Sequence, residues 1–474
     1  MRTDLRFRID YELGIKDRAS GSGTIFPRLD PAKPTSCPGP PRRMIERNTH
    51  IIRFMPLGIY LSVPFCRSKC SYCNFASGVA SQAVYDKYVA KVCADIGKIE
   101  RRAKTMNACL EPQVDSIYLG GGTPTVLETE QMGRLFAALR QQFEVLPDAE
   151  ITVECAPGTL TPPVVDGLLG CGVNRISLGV QSWVDAESAA VGRLHTRAIV
   201  HHELERLRRA GLHNISLDLI AGLPHQTAES WQFSLQETVA SGVPHVSVYM
   251  LEVDEDSRLG RELLAGGVRY HAHFVPDEDA CADLYLAACE RLEAAGIQQY
   301  EISNFARCGS GKEVSPALVG TDTSPVPATG PQSRHNLKYW TRQPYLGFGL
   351  DAHSMLWAGN ADGPGIEAVR FATSGELEPF LCDAGWKPSK IDRQAALEET
   401  FFLGLRLNQG VNLNEVGTKF GTAALRAVQP IIADCVESGL LAQTAGQVRL
   451  TPRGRLLSNE VFERFIAVPN APVH

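Results

Sequence analysis

Between residues 59 and 251 the chain repeats one kind of unit six times. Short segments rich in Val, Ile, Leu and Tyr, at 59–63, 116–119, 151–154, 175–180, 215–220 and 246–251, alternate with longer stretches. Those longer stretches, such as 131–143 and 201–210, carry apolar residues at helical spacing. Strands separated by helices predict parallel βα units, because parallel neighbours need a crossover long enough to hold a helix. The class is therefore α/β. An open doubly wound sheet and a partial (β/α)6 barrel both fit this rhythm. The unusual residues fall at the strand ends: Gly120-Gly-Gly-Thr-Pro124 after the second strand, Glu154 closing the third, Gln181 after the fourth, Asp218 within the fifth. Parallel α/β folds build their sites at strand C-terminal ends, so one ligand at that rim would account for all of them.

The rest of the chain divides by composition. Residues 1–50 mix charge with Pro and Gly and are expected to be a poorly ordered extension. The βα unit takes 51–306. A Gly/Ser/Thr/Pro-rich stretch at 309–333 opens a third part, 307–390, read as an insertion loop followed by the segment around His335. From 391 to 474 the rhythm changes to helices at 398–405, 413–420 and 423–437 and a hairpin at 439–450, the order of a small winged-helix-like domain. That last part holds eight basic and eight acidic residues, and the whole chain carries a net charge of −6, so neither offers the basic footprint of a nucleic-acid binder. No apolar run approaches the roughly 18 residues of a membrane span, and the first residues lack the apolar core of a signal peptide. Acidic residues at Asp4, Asp10, Glu12 and Asp17 argue against a transit peptide. The expected setting is the cytoplasm, without a stable membrane anchor.

Of 13 cysteines, ten are scattered singly and read as small buried hydrophobes. The other three form Cys66-Arg-Ser-Lys-Cys70-Ser-Tyr-Cys73, three thiols within eight residues directly after the first strand. One loop can wrap them around one metal centre. Tetrahedral zinc would need a fourth ligand, and no second Cys pair or paired His at finger spacing follows. Three thiolates suit an iron–sulfur cubane whose fourth iron stays open.

The C-x-x-x-C-x-x-C spacing, with the aromatic Tyr72 before the third cysteine, resembles the radical S-adenosylmethionine (SAM) superfamily. Tyr60, the Gly120–Pro124 run, Glu154, Leu178-Gly-Val-Gln-Ser182, Arg193, Asp218-Leu-Ile-Ala-Gly-Leu-Pro224 and Glu301-Ile-Ser-Asn-Phe-Ala306 resemble one branch of it. That branch holds the oxygen-independent coproporphyrinogen III oxidases and the haem chaperones, and the resemblance runs from about 59 to 465. It implies a TIM-like partial barrel and a [4Fe–4S] cluster on Cys66, Cys70 and Cys73, whose open iron takes the amino and carboxylate groups of SAM. It places Tyr60, Tyr72, Gly121, Gly122, Thr123, Glu154, Gln181, Arg193 and Asp218 near SAM, and it calls for an electron donor to the cluster.

Two features separate the branch. The oxidases carry a further cysteine two places after the third, where this chain has Phe75. His335-Asn-Leu-Lys-Tyr-Trp340 matches the H-N-x-x-Y-W segment of the haem chaperones, which implies that His335 presents a neutral imidazole to haem iron while Tyr339 and Trp340 offer flat apolar faces to the porphyrin. The bland alternative is a core histidine beside two packing aromatics. His353, in a Gly-rich segment interrupted by Asp351, is a secondary ligand candidate with a structural role expected. The expectation is a haem chaperone that binds haem, cluster and SAM and hands haem to an acceptor protein, with the oxidase as the alternative.

Overall fold

The computed structural model describes residues 55–307, 331–359, 365–383 and 386–466. The expected extension at 1–50 and most of the 309–333 stretch lie outside the described residues. Six strands, β1 Leu57–Val63, β2 Gln113–Gly121, β3 Glu144–Cys155, β4 Arg175–Gln181, β5 Ile215–Ala221 and β6 His245–Met250, stand side by side in sequence order. Every neighbouring pair among them is parallel. This order decides between the two architectures that the rhythm allowed. A doubly wound sheet reverses at a switch point, whereas sequential right-handed crossovers wind one way and put the helices on one face. The sheet is a partial barrel.

Strand alternation then sorts the side chains. Ile59, Leu61 and Val63 of β1, Ile117 and Leu119 of β2, Ile151 and Val153 of β3, Ile176 and Leu178 of β4, and Leu217 and Leu219 of β5 all enter the main hydrophobic core. Successive residues of a strand point to opposite faces, so the residues between them face the barrel interior. Those are Tyr60, Ser116, Tyr118, Glu150, Thr152, Glu154, Arg175, Ser177, Ser216, Asp218, His245, Ser247 and Tyr249. The interior is polar.

The sheet extends beyond the six strands. A hairpin of β7 Ile297–Glu301 and β8 Asn304–Arg307 joins β6 antiparallel. On the other side β9 Tyr345–Phe348 lies parallel to β1, followed by antiparallel β10 His353–Trp357, β11 Ile366–Ala372 and β12 Lys387–Asp392, for 12 strands among the described residues. Four strands of the 307–390 stretch thus belong to the main sheet. They are four to seven residues long, and among the described residues only the five-residue helix Leu377–Leu381 lies between any of them, so the strand–helix alternation of the first six is missing.

The C-terminal part packs helices Arg393–Gly404, Leu413–Phe420, Thr422–Glu437 and Ser458–Ile466 around a second core. Its three-stranded sheet comprises β13 Val411–Asn412, β14 Leu441–Thr444 and β15 Gln447–Leu450, with β15 central. Glu399, fully buried, ties this part to the sheet edge by ion pairs to Arg342 at 2.8 Å and Arg370 at 3.0 Å. Removing one partner of a buried ion cluster leaves uncompensated charge. Glu399→Gln is expected to lower unfolding stability by about 3 kcal/mol, read from the midpoint of anaerobic urea denaturation.

Candidate radical SAM site

The cysteine loop leaves β1 at Pro64 and is closed at its neck. Cys66 N–H donates to Gly78 O at 3.0 Å, and Gly78 N–H donates to Pro64 O at 2.9 Å. Inside the loop Cys73 N–H reaches Cys70 O, and the Lys69 ammonium donates to Phe75 O at 3.0 Å. The end of β2 presses on the start of the loop. A Cβ on Gly122 would lie 2.7 Å from the carbonyl oxygens of Val63 and Phe65, so only glycine fits there. The next residue, Thr123, donates its N–H to Phe65 O and its hydroxyl to Cys66 Sγ at 3.7 Å.

The other strand ends surround this loop. Glu154 accepts the N–H of Gly121 at 3.2 Å, and Gly121 itself has φ 99°. A Cβ on Gly120 would sit 2.7 Å from the Glu154 carboxylate. Arg193 donates to Cys70 Sγ at 3.6 Å and also to Gly179 O. Gln181 holds the left-handed conformation, φ 67°, and its Oε1 is buried without a hydrogen-bond partner among the described residues. Such strain and such an orphaned acceptor are characteristic of ligand sites. Asp218 accepts from Ser177 at 2.8 Å and from Ser216 at 3.2 Å. Burial raises its pKa against those hydrogen bonds.

These groups enclose a cavity of about 250 Å³. Cys66, Cys70, Cys73, Tyr60, Tyr72, Gly121, Gly122, Thr123, Glu154, Gln181, Arg193 and Asp218 all line it, and so do His335, Tyr339 and His353. A larger open depression, about 410 Å³, lies at Lys104, Glu111 and Gln142, but neither Cys nor His lines it. Among the described residues no group of three His, Cys, Asp or Glu side chains converges on a single ion. A cubane does not ask for that, since each thiolate binds a different iron corner. Burial pushes the Cys66 thiol up and the Cys73 thiol to about 11, so thiolates here need a cationic centre beside them. The donor set, the glycine cradle and the orphaned Gln181 amide fit a cluster with a polar ligand above it.

The H-N-x-x-Y-W segment is the helix Arg334–Trp340. Glu150 caps it by accepting the N–H groups of Arg334 and His335 at 3.2 and 3.3 Å. His335 is 1% exposed. Its Nδ1 lies 3.1 Å from Ser116 Oγ, its Nε2 2.8 Å from the Tyr339 hydroxyl, and its ring stacks on Tyr118 at 5.5 Å. Both ring nitrogens are engaged, so an iron at Nε2 requires Tyr339 to give way. Trp340 is not part of the cavity wall. It packs in the second core with the Arg406 guanidinium 4.1 Å from its ring centroid.

Sequence reasoning did not single out Tyr118, Tyr249, Ser177 or His245. His245 connects Ser216 (2.8 Å) to the Tyr300 hydroxyl (3.0 Å), which accepts the N–H of Ser333, the residue capping the His335 helix. The signal that would have found them is period two: a polar or aromatic residue at most inward positions of β2, β4, β5 and β6.

A six-strand partial barrel with three cysteines on the loop after its first strand defines a radical SAM protein. Residues 60–237 match the radical SAM superfamily model and 391–457 that of the HemN C-terminal domain. The chain is 32% identical to heme chaperone HemW of Bacillus subtilis over 411 residues, 86% of this chain and 98% of that one. It is 28% identical to the Escherichia coli HemW over 88% of this chain and the whole of that one. In structure it resembles the E. coli coproporphyrinogen III oxidase HemN, with TM-score 0.69 and 22% identity over 87% of this chain and 90% of that one. The chain belongs to the HemW heme chaperone family.

Burial, reinforced by the Lys338 charge, pulls the His335 pKa down to about 3. The unfolded value is about 6.5, so folding favours the neutral ring; this contribution is intact above pH 6.5 and drains away as pH falls towards 3. In chemical denaturation, wild-type stability should fall by about 1 kcal/mol more than that of His335→Gln between pH 6 and 5. Parallel pH profiles would mean that His335 titrates in the fold as it does in the unfolded chain, and would refute the burial of a neutral ring.

Proposed function

We propose that this chain is a haem chaperone: it takes haem as cargo, carries a [4Fe–4S] cluster and SAM, and passes haem to an acceptor protein. Cys66, Cys70 and Cys73 hold the cluster, and the strand ends at Gly121–Thr123, Glu154, Gln181 and Asp218 receive SAM, with Tyr60 and Tyr72 on the wall. When bound, the cluster and SAM supply one-electron cleavage of a carbon–sulfur bond, for which an electron donor is a second partner. The protein's own part is positional. Arg193 sets a guanidinium against Cys70 Sγ and balances thiolate charge. Glu154 fixes the Gly121 turn. The half-buried tyrosines Tyr118 and Tyr249, whose hydroxyls desolvation holds protonated, narrow the access of water to the interior.

The observation that carries the choice of carrier over oxidase is Phe75. It lines the cavity at the place where the oxidase pattern has another cysteine. Near full-length coverage of the HemW relatives supports the same reading. His335 and Tyr339 meet the haem from the cavity wall, with Nε2 exchanging the Tyr339 hydroxyl for iron, while Trp340 braces the helix from behind. Among the described residues no helix is long and apolar enough to cross a membrane.

Anaerobically reconstituted protein tests this. With haem it should develop a Soret band, and with coproporphyrinogen III, SAM and a reductant it should release no decarboxylated product. Product formation would establish the oxidase instead. The Cys66→Ala/Cys70→Ala/Cys73→Ala variant should lose the visible cluster absorption, and full iron and sulfide content in it would refute the assignment of these ligands.

A further inference from the structure

Eight large apolar side chains lie exposed among the described residues, and four of them sit on one short piece of chain after β6: Leu263, Leu264, Val268 and Phe274, 47 to 86% exposed. Leu263 and Leu264 are on the helix Arg258–Ala265, and the turn Ala272–Phe274 packs against that helix. Glu262 clamps the connection by accepting the N–H groups of Tyr270 and Ala272. The exposed apolar side chains are thus held on a folded ledge.

The same fold-back brings two histidines together. His225 Nε2 lies 3.0 Å from His271 Nδ1, and the His225 ring stacks on Phe274 with centroids 4.2 Å apart. Both residues are left-handed, with φ 68° and 60°, a conformation that non-glycine residues adopt at a cost and usually for a reason. The pair faces solvent, with His225 Nδ1 and His271 Nε2 outside this mutual bond. Segment 258–274 carries Arg258, Arg261 and Arg269 against the single acid Glu262, in a chain whose net charge is −6. Acids flank it at 254–256 and 277–279. The ledge also abuts the cysteine loop: Leu259 N–H donates to Ser71 O at 2.9 Å and Arg258 to Lys69 O at 3.2 Å.

Exposed leucines and a phenylalanine, an accessible imidazole and guanidinium groups match three parts of one ligand: an apolar macrocycle, its iron and its two carboxylates. A bare divalent ion would need a further protein ligand, and among the described residues no third His, Cys, Asp or Glu converges with the pair. We propose that the ledge is an accessory haem site, where haem docks through the His225–His271 pair before it enters the cavity. This rests on the haem-chaperone reading, to which it adds a place of first contact.

The test is haem titration of untagged, full-length, cluster-reconstituted protein, following the Soret band, stoichiometry and cluster absorption. His225→Ala/His271→Ala should weaken haem capture at least tenfold and shift the Soret maximum, and Leu264→Glu should weaken it with both histidines in place. Cluster absorption should persist in both. Unchanged affinity, stoichiometry and Soret band in the double variant would overturn the ledge site while leaving the chaperone reading intact; a wild type that takes up no haem would overturn both. Zn²⁺ alone binding as tightly as haem, lost in the double variant but untouched by Leu264→Glu, would reassign the pair to a bare ion.

Discussion

The contact on which the site depends is between two stretches of backbone. Gly122 lets the end of β2 lie directly on the carbonyls of Val63 and Phe65, and Thr123 then bonds both Phe65 O and Cys66 Sγ. Any side chain at 122 would push the cysteine loop off the barrel rim. Parallel pairing of β1 with β2 in register, Val63 opposite Gly121, is what brings the two ends to the same height. The loop's neck at Cys66 and Gly78 keeps its three thiols together once that height is set.

A second constraint follows from the polar interior. Buried polar groups are costly unless they find partners, and in this barrel the partners are mostly on neighbouring strands. Ser177 of β4 and Ser216 of β5 serve Asp218, and Ser216 also meets His245 of β6. The wall of the cavity is thereby fixed by the same register that pairs the backbones. Apolar residues facing the helices provide the driving force for the barrel, while the inward residues provide shape and chemistry.

How much of this could be read from sequence depended on signal length. The six parallel strands were visible because each is followed by a helix, and the three cysteines because they are crowded into eight residues. The C-terminal helices and hairpin were visible for the same reason of clear periodicity. Strands β7 to β12 were not, because they are short and mostly pair antiparallel with a sequence neighbour, so no regular strand–helix rhythm marks them. His335 was read as a residue apart from the cluster site, 262 positions beyond Cys73. The fold brings both to one cavity, since the helix bearing His335 packs beneath β1 and β2. Trp340, in contrast, shares the motif with His335 but points to a different core, which spacing along one short helix did not reveal.

The placement of β9 also has a temporal meaning. Its first residue, Tyr345, follows Val63 by 282 positions, yet β9 is the neighbour of β1 on the side away from β2. At roughly 5–20 residues per second of synthesis, the strand that carries the cysteine loop waits on the order of tens of seconds with one edge open. An unpaired edge is a template for unwanted pairing, and here it lies beside three reduced thiols. The chain therefore passes through a stage in which its cysteine loop is already synthesised but the strand that supports it is only half enclosed.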